Sequence, residues 1–448
     1  MSTRPNAFAP ARIDPQTHDH VARQFVAEHG HKIRYIHDAR CWLICDEAYG
    51  NWYFDRTKAT FNAIADLCLA IARSVNDVKT QHVMGSVHFV RGVEEFAKSK
   101  PEIAITQDKC DRDPMLLGTP IGTVDLRTGV WRRGDPSDLI TRCTRAIPQN
   151  QPYPNWLRFL DQATGGDHEM IGFLQRFAGY CLTGETSEHA IVFIHGDGGT
   201  GKGTFLRALD HVLGDYAGFA QMATFCTSPN ERHSNVIARL RPFRFVWSSE
   251  NDRSRRWNEA LLKQISGGDP VAANLMHRDT EQWTPRFKVA MAGNHQPKLE
   301  DVDNSIRRRF YLVPFDRIPE RPDTGLEQRL HAERDGILWW ALQGCLEWQR
   351  RGLAPPPRIK QATAKYLDAQ DVMSRFFAER CQFAPERKVR MKELQQAAEH
   401  FAAAEGLRRV RPNEVAEALS NRDITVERGT GNVNFAFGIC LRAVEVRD

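Results

Sequence analysis

Between Ile191 and Leu209 the sequence reads IVFIHGDGGTGKGTFLRAL, where β-branched and aromatic residues give way to glycines and then to a lysine that opens a helical pattern. The spacing from Gly196 to Lys202 is G-x-x-x-x-G-K, the pattern of a loop whose backbone N–H groups surround phosphates while its lysine reaches the outer ones. Gly196, Gly198, Gly199, Thr200, Gly201, Lys202, Gly203 and Thr204 are therefore the expected cradle. One position departs from the pattern. Gly203 stands where such loops carry the hydroxyl that holds magnesium, so the metal is expected to rest on phosphates, water, Thr204 and Glu250. The spelling GKGT is also that of small nucleotide kinases, which keeps a kinase as an alternative.

Hydrolysis at such a loop needs an acid that orients water and a cation that offsets developing charge. The stretch FRFVWSSE, 243–250, reads as an apolar strand ending in Glu250, with Ser249 where many motors place a second carboxylate. Glu250 is therefore expected both to polarise water and to support the metal. Asn294, in AGNHQP after a third apolar run, has an amide able to hold the attacking water. Arg308 and Arg309 lie between DNSI and a fourth apolar run, where an arginine could reach a neighbouring subunit's nucleotide.

The elements that must position these groups follow from periodicity. Apolar runs at 191–195, 243–250, 286–297 and 309–315 alternate with helical patterns, which predicts a parallel α/β sheet with ligands at the carboxyl ends of its strands. Upstream, 33–54 reads as strand, turn and strand, and ATFNAIADLCLAIARSV as a helix. GTPIGTVDLRTGVWRRGD implies short hairpins, and 170–184 an amphipathic helix ending at glycine. The D-x-D of DRDP, 111–114, is read as a loop and not a catalytic pair. Downstream, GLAPPPRIK, 352–360, reads as a proline-rich hinge. Helices near 371–381, 391–405 and 412–420 follow, then a two-stranded hairpin with GTGN at its tip.

Bulk properties restrict the class. With 448 residues, 41% hydrophobic, 26% charged and a mean hydropathy of −0.50, the chain is expected to be soluble and to form roughly two to four domains. No apolar run is long enough to span a membrane, and the start lacks the core of a signal peptide. Ten cysteines lie scattered without metal-site spacing, which suits a reducing cytoplasm. The net charge of +5 permits nucleic-acid binding without demanding it.

Taken in order, GDGGTGKGTF, FVWSSEN, LLKQISGGDPVAANLMHRD and FKVAMAGNHQPKLEDVDNSIRRRFYLVPF resemble superfamily 3 helicases, of the phage, plasmid and poxvirus-type primase–helicase branch. The likeness spans about residues 115–320 and, loosely, the C-terminal part. It implies an AAA+-like P-loop domain with an N-terminal mostly helical domain and a C-terminal winged-helix-like domain. The divisions expected are 1–114, a helical domain at 115–184, the motor at 185–350, the hinge at 351–370 and a winged helix at 371–448. It implies ATP and Mg2+ as cofactors, a ring (usually a hexamer) around single-stranded or forked DNA, a separate primase, and a bacterial host cytoplasm. Lys202 and Thr204 match the nucleotide loop, Glu250 the Walker B acid, Asn294 the sensor, and Arg308 or Arg309 the finger. Lys263 with Gly267, Gly268 and Asp269 matches the motif leading to a channel hairpin, with Lys263, His277 and Arg278 as DNA contacts. The alternative of another class is an ATP-dependent protein that melts an origin without processive unwinding.

Overall fold

The computed structural model describes residues 17–227, 233–250, 256–274, 280–299, 302–405, 407–429 and 433–442. Its first part holds α1 (His18–His29), β1 (Ile33–Ile36), β2 (Cys41–Cys45), β3 (Trp52–Phe54), α2 (Ala59–Ser74), α3 (Val78–Met84), α4 (Val87–Lys98) and β4 (Ala104–Ile105). The strands form a sheet in the order β3-β2-β1-β4. The helices bury Val21, Phe25, Ile64, Cys68, Phe89 and Val93 against it, at the i, i+4 spacing of one helical face. The region is thus α+β and has its own small core. Asp111 accepts from Thr141 N at 2.9 Å, and Asp113 binds Arg127 at 2.8 Å. Both acids of the D-x-D are therefore engaged in holding loops.

Next come β5 (Leu116–Thr119), β6 (Gly122–Asp125) and β7 (Val130–Arg132), an antiparallel meander, then α5 (Pro154–Thr164) and α6 (His168–Leu182). The expected helical domain at 115–184 thus opens with a three-stranded meander before its two helices, and its core is not separate. Leu117, Trp156, Phe173 and Phe177 share one cluster with Val192, Ile194 and Val313 of the central sheet. Two buried cations tie the parts together. Arg244 donates to Leu182 O at 2.6 Å and Leu116 O at 2.8 Å and lies over the Tyr216 ring. Lys288 donates to Thr183 O and Glu185 O beneath the Tyr180 ring, and burial pushes its ammonium pKa down to about 7.

The central block comprises β8 (Ile191–His195), α7 (Lys202–Leu213), β9 (Ala217–Phe219), α8 (His233–Leu240), β10 (Phe245–Glu250), α9 (Glu259–Gly267), β11 (Val271–Asn274), β12 (Thr280–Trp283), β13 (Lys288–Gly293), α10 (Asn304–Arg307), β14 (Phe310–Pro314), α11 (Leu326–Ala332), α12 (Arg334–Arg351) and α13 (Pro357–Gln370). Its sheet runs β14-β8-β13-β10-β9, every neighbouring pair parallel. Every residue of β13 is buried, as expected for a strand covered on both faces. Side chains alternate between the faces: Val192, Ile194, Ala290 and Ala292 join one cluster, Ile191, Phe193, Val289 and Met291 the other. β11 and β12 form a separate antiparallel pair from Val271↔Trp283 to Asn274↔Thr280.

The stretch 351–370, expected to be a hinge, is mostly helix. Pro357 occupies the first turn of α13, where a missing N–H costs nothing. Ile359, Tyr366 and Leu367 are buried, and Thr363 Oγ1 accepts from Leu312 N at 2.9 Å. Prolines here start an element packed on β14.

The last part contains α14 (Val372–Arg380), β15 (Cys381–Arg390), α15 (Met391–Ala404), α16 (Glu414–Ser420), β16 (Val426–Arg428) and β17 (Asn434–Leu441), around a separate core of Phe376, Phe377, Leu394, Phe401, Leu419 and Ile439. The strands are ordered β15-β17-β16, three where two were expected. β15 escaped because it is exposed along most of its length and contains Pro385 within an irregular register. Among the described residues no helix is long and apolar enough to cross a membrane.

Candidate functional site

Register brings the chemistry together. His195 at the end of β8 pairs with Gly293 of β13, which pairs with Glu250 of β10. The loop after His195, Asn294 after Gly293, and the backbone of Glu250 therefore share one carboxyl edge. Asn294 Nδ2 lies 4.0 Å from where a Cβ on Gly198 would stand. Gly198–Thr204, Ser249, Gly293 and Asn294 line one cleft of about 1100 Å³. The Glu250 side chain, and the whole of His277 and Arg278 in the segment between β11 and β12, lie outside the described residues.

The loop turns tightly against its neighbours. A Cβ at Gly196 would meet Phe315 O at 1.7 Å, and one at Gly201, whose φ is +89°, would meet the Phe159 ring at 2.7 Å. Glycine is required at both by sterics as well as by dihedral. Gly201 is also the N-cap of α7 and offers no side-chain acceptor, so the first N–H groups of the helix face the cleft without an intrahelical partner. Lys202 is 7% exposed, and its Nζ donates to Gly196 O at 2.7 Å, Asp197 O at 2.6 Å and Thr200 Oγ1 at 3.3 Å. Burial lowers its pKa, with Asp197 opposing. Burial likewise lowers that of His195. A buried ammonium held only by neutral oxygens, beside unpaired helix N–H groups, is a donor set suited to polyphosphate.

The remaining candidates separate. Arg308 is exposed, whereas Arg309 is 8% exposed and donates to Ser305 O at 3.0 Å and to Ser305 Oγ. Its Nη2 sits 3.6 Å from a Cβ placed on Gly267, and burial depresses its pKa. Neither lines the cleft of its own chain. Within the chain Arg309 thus braces the turn before β14, while the Arg308 side chain is exposed. Lys263, expected to contact DNA, is only partly buried, and its Nζ bonds Asp303 Oδ2 at 2.7 Å. Burial acts to raise the Asp303 pKa, but Lys263 and the Ile306 N–H hold it low. Asp303 in turn caps α10, so Lys263 braces the turn before β14.

Sequence reasoning missed much of the cleft's charged lining. Arg158 comes from α5, Arg207 from α7, and Arg317, Arg321 and Arg329 from the segment after β14, with Asp161, Glu320 and Asp323 among them. Only Arg207 carried a local signal, lying four residues beyond Gly203 on the same helical face. The others meet only through folding.

Comparison with known proteins supports part of this reading. Residues 22–165 match the family described as D5 N terminal like, and residues 194–309 match a family of unknown function, DUF5906. The chain resembles D5-type proteins. "Putative helicase L207/L206" of Acanthamoeba polyphaga mimivirus is 24% identical over 295 residues, covering 60% of this chain and 31% of that protein. "Putative helicase 022R" of Frog virus 3 (isolate Goorha) is 24% identical over 231 residues, 46% of this chain and 24% of the relative. The chain thus spans a third or less of the length of these relatives, which come from viruses of eukaryotes, a different setting from the bacterial host expected above. The solved C-terminal region of NrS-1 aligns over 95% of this chain and 100% of its own, at 10% identity and a TM-score of 0.49.

Proposed function

We propose that this chain is an ATP-dependent helicase of the superfamily 3, AAA+ type, working as a ring, expected to be hexameric, on single-stranded or forked DNA during replication of a mobile element or virus. The observation that carries the reading is the common edge of β8, β13 and β10, where the Lys202 loop, Asn294 and the Glu250 backbone lie side by side. Similarity to viral proteins named helicases supports it. Lys202 and the N–H groups opening α7 would hold the phosphates, while Thr204 and Glu250 would hold Mg2+ through water and phosphate. Bound there, MgATP would supply an activated phosphoanhydride. Glu250 would orient water, with the Asn294 amide fixing its other side. Arg308 would act on a neighbouring subunit's site, which agrees with its absence from its own cleft.

The hairpin β11–β12 would face the channel. The C-terminal part would be a winged-helix-like unit, serving contact but not base readout by α16: Glu414 and Glu417 stand in that helix's first turn, and Glu414 takes Arg408 into an ion pair. Priming would come from a separate protein. The test is displacement of a labelled strand from a forked duplex with ATP and Mg2+. Wild type should unwind, and Glu250→Gln should bind nucleotide yet unwind at least about a hundredfold more slowly, the usual scale for loss of a positioned base. Hydrolysis and DNA binding with no displacement by wild type would instead favour the origin-melting role. Absence of any DNA-stimulated hydrolysis would refute a motor.

A further inference from the structure

The departure at Gly203 and the cation four residues later are one device. Long helical side chains lean toward the helix N-terminus and cover the turn before their own Cα. Arg207 does so across α7: its Nη1 lies 2.8 Å from the point where a Cβ on residue 203 would stand, with Cζ at 3.7 Å. Any side chain at 203 would have to displace the guanidinium. Its Nε donates to Glu327 of α11, at 3.2 and 3.3 Å. The two terminal nitrogens donate to no described residue, and Arg207 lines the same cleft as Lys202, Thr204 and Asn294. Both partners of the Arg207–Glu327 pair are nearly half exposed, so the pair is weak and the guanidinium can advance by a small torsion.

We propose that Arg207 contacts the phosphates of the bound nucleotide directly, in the space that a magnesium-holding hydroxyl takes in other loops of this pattern. The inference rests on the loop being a nucleotide site, as argued above. Its consequence is electrostatic. A hydroxyl at 203 would be an oxygen ligand for Mg2+, whereas a guanidinium there repels the metal and attracts phosphate oxygens in a fork geometry. This chain's loop is therefore built to hold nucleoside polyphosphates with less dependence on Mg2+.

The experiment measures ATP and ADP affinity of the full chain by calorimetry, once with Mg2+ and once with EDTA, for wild type, Arg207→Ala, Arg207→Lys, Gly203→Ser and Lys202→Met. Arg207→Ala should weaken metal-free ATP binding at least tenfold and Mg-ATP binding less, with Arg207→Lys recovering part of the loss. Gly203→Ser, which displaces the guanidinium and adds a metal ligand, should lose metal-free affinity while keeping Mg-ATP affinity. A simple packing role would lower both affinities together and would overturn the proposal, as would an Arg207→Ala protein that binds metal-free ATP like wild type. The reading beneath it fails separately, through a wild type that binds no nucleotide or a Lys202→Met protein that binds as wild type does.

Discussion

Replacing Lys202 by Met separates the energetics of the loop from its chemistry. In the structure the ammonium is buried, is paired with no described carboxylate, and donates to two backbone carbonyls and one hydroxyl. Removing it leaves those carbonyls short of a donor, at about 1 kcal/mol each, but also removes a desolvated charge, so the two effects largely offset. The unliganded protein should therefore change stability by no more than about 1 kcal/mol, roughly 2 °C in melting temperature for a chain of this size. Nucleotide binding should suffer far more. A charge-assisted contact to phosphate is worth about 1.5–3 kcal/mol, and Lys202 would contact two phosphates, so affinity should fall about a hundredfold or more. The assay is thermal melting with added ATP. At a concentration one hundred times the wild-type Kd, binding stabilises wild type by about 2.7 kcal/mol, while a variant weakened a hundredfold gains only about 0.4 kcal/mol. A Lys202→Met protein that melts as wild type does without nucleotide, and shifts as wild type does with it, would show that phosphate binds elsewhere. A variant that melts many degrees lower without nucleotide would show the lysine to be a structural donor first.

Three further outcomes follow from cations of the central block. Lys288 has a folded pKa near 7, below the unfolded value of about 10.4. The unfolded chain therefore binds the extra proton between those values, and this residue's contribution to stability rises with pH from 7 to 10. In urea melts, the stability of wild type minus that of Lys288→Met should increase by something on the order of 3 kcal/mol across that window, and a flat difference would refute the buried-charge account. Arg308→Ala should alter stability by less than about 0.5 kcal/mol, whereas Arg309→Ala should cost about 1–3 kcal/mol because it strips a buried strut. Mixing Arg308→Ala with Lys202→Met subunits should restore some hydrolysis, since one supplies an intact loop and the other an intact finger. Mixtures no more active than either variant alone would argue against a finger acting between subunits.

What could be read from the sequence was what depends on neighbours along the chain. The central strands announced themselves because burial on both faces demands unbroken apolar runs, and Glu250 and Asn294 could be placed because each closes such a run. The β11–β12 pair falls where the resemblance, not any local pattern, implied a hairpin after Gly267, Gly268 and Asp269. Failures came where a tertiary partner changed the meaning of a local signal. The prolines of 352–360 mark the start of α13 because β14 lies beneath to receive Ile359 and Tyr366. Lys263 and Arg309, given a DNA contact and a finger by the resemblance, bond Asp303 and Ser305, pairings that no local pattern announced.

The arginine wall of the cleft shows the same limit more sharply. Arg158, Arg207 and Arg329 come from three helices, and nothing along the chain says they converge. Arg207 is nevertheless the exception, because its relation to Gly203 is helical geometry and needs no tertiary knowledge. A glycine directly after the loop lysine makes room on the face that a residue four positions later must cover. Where that residue is an arginine, loss of the hydroxyl and gain of the guanidinium act on the same phosphates and should be tested as one change. The double substitution Gly203→Ser with Arg207→Ala is thus the variant whose metal dependence should most resemble that of a loop with the usual hydroxyl.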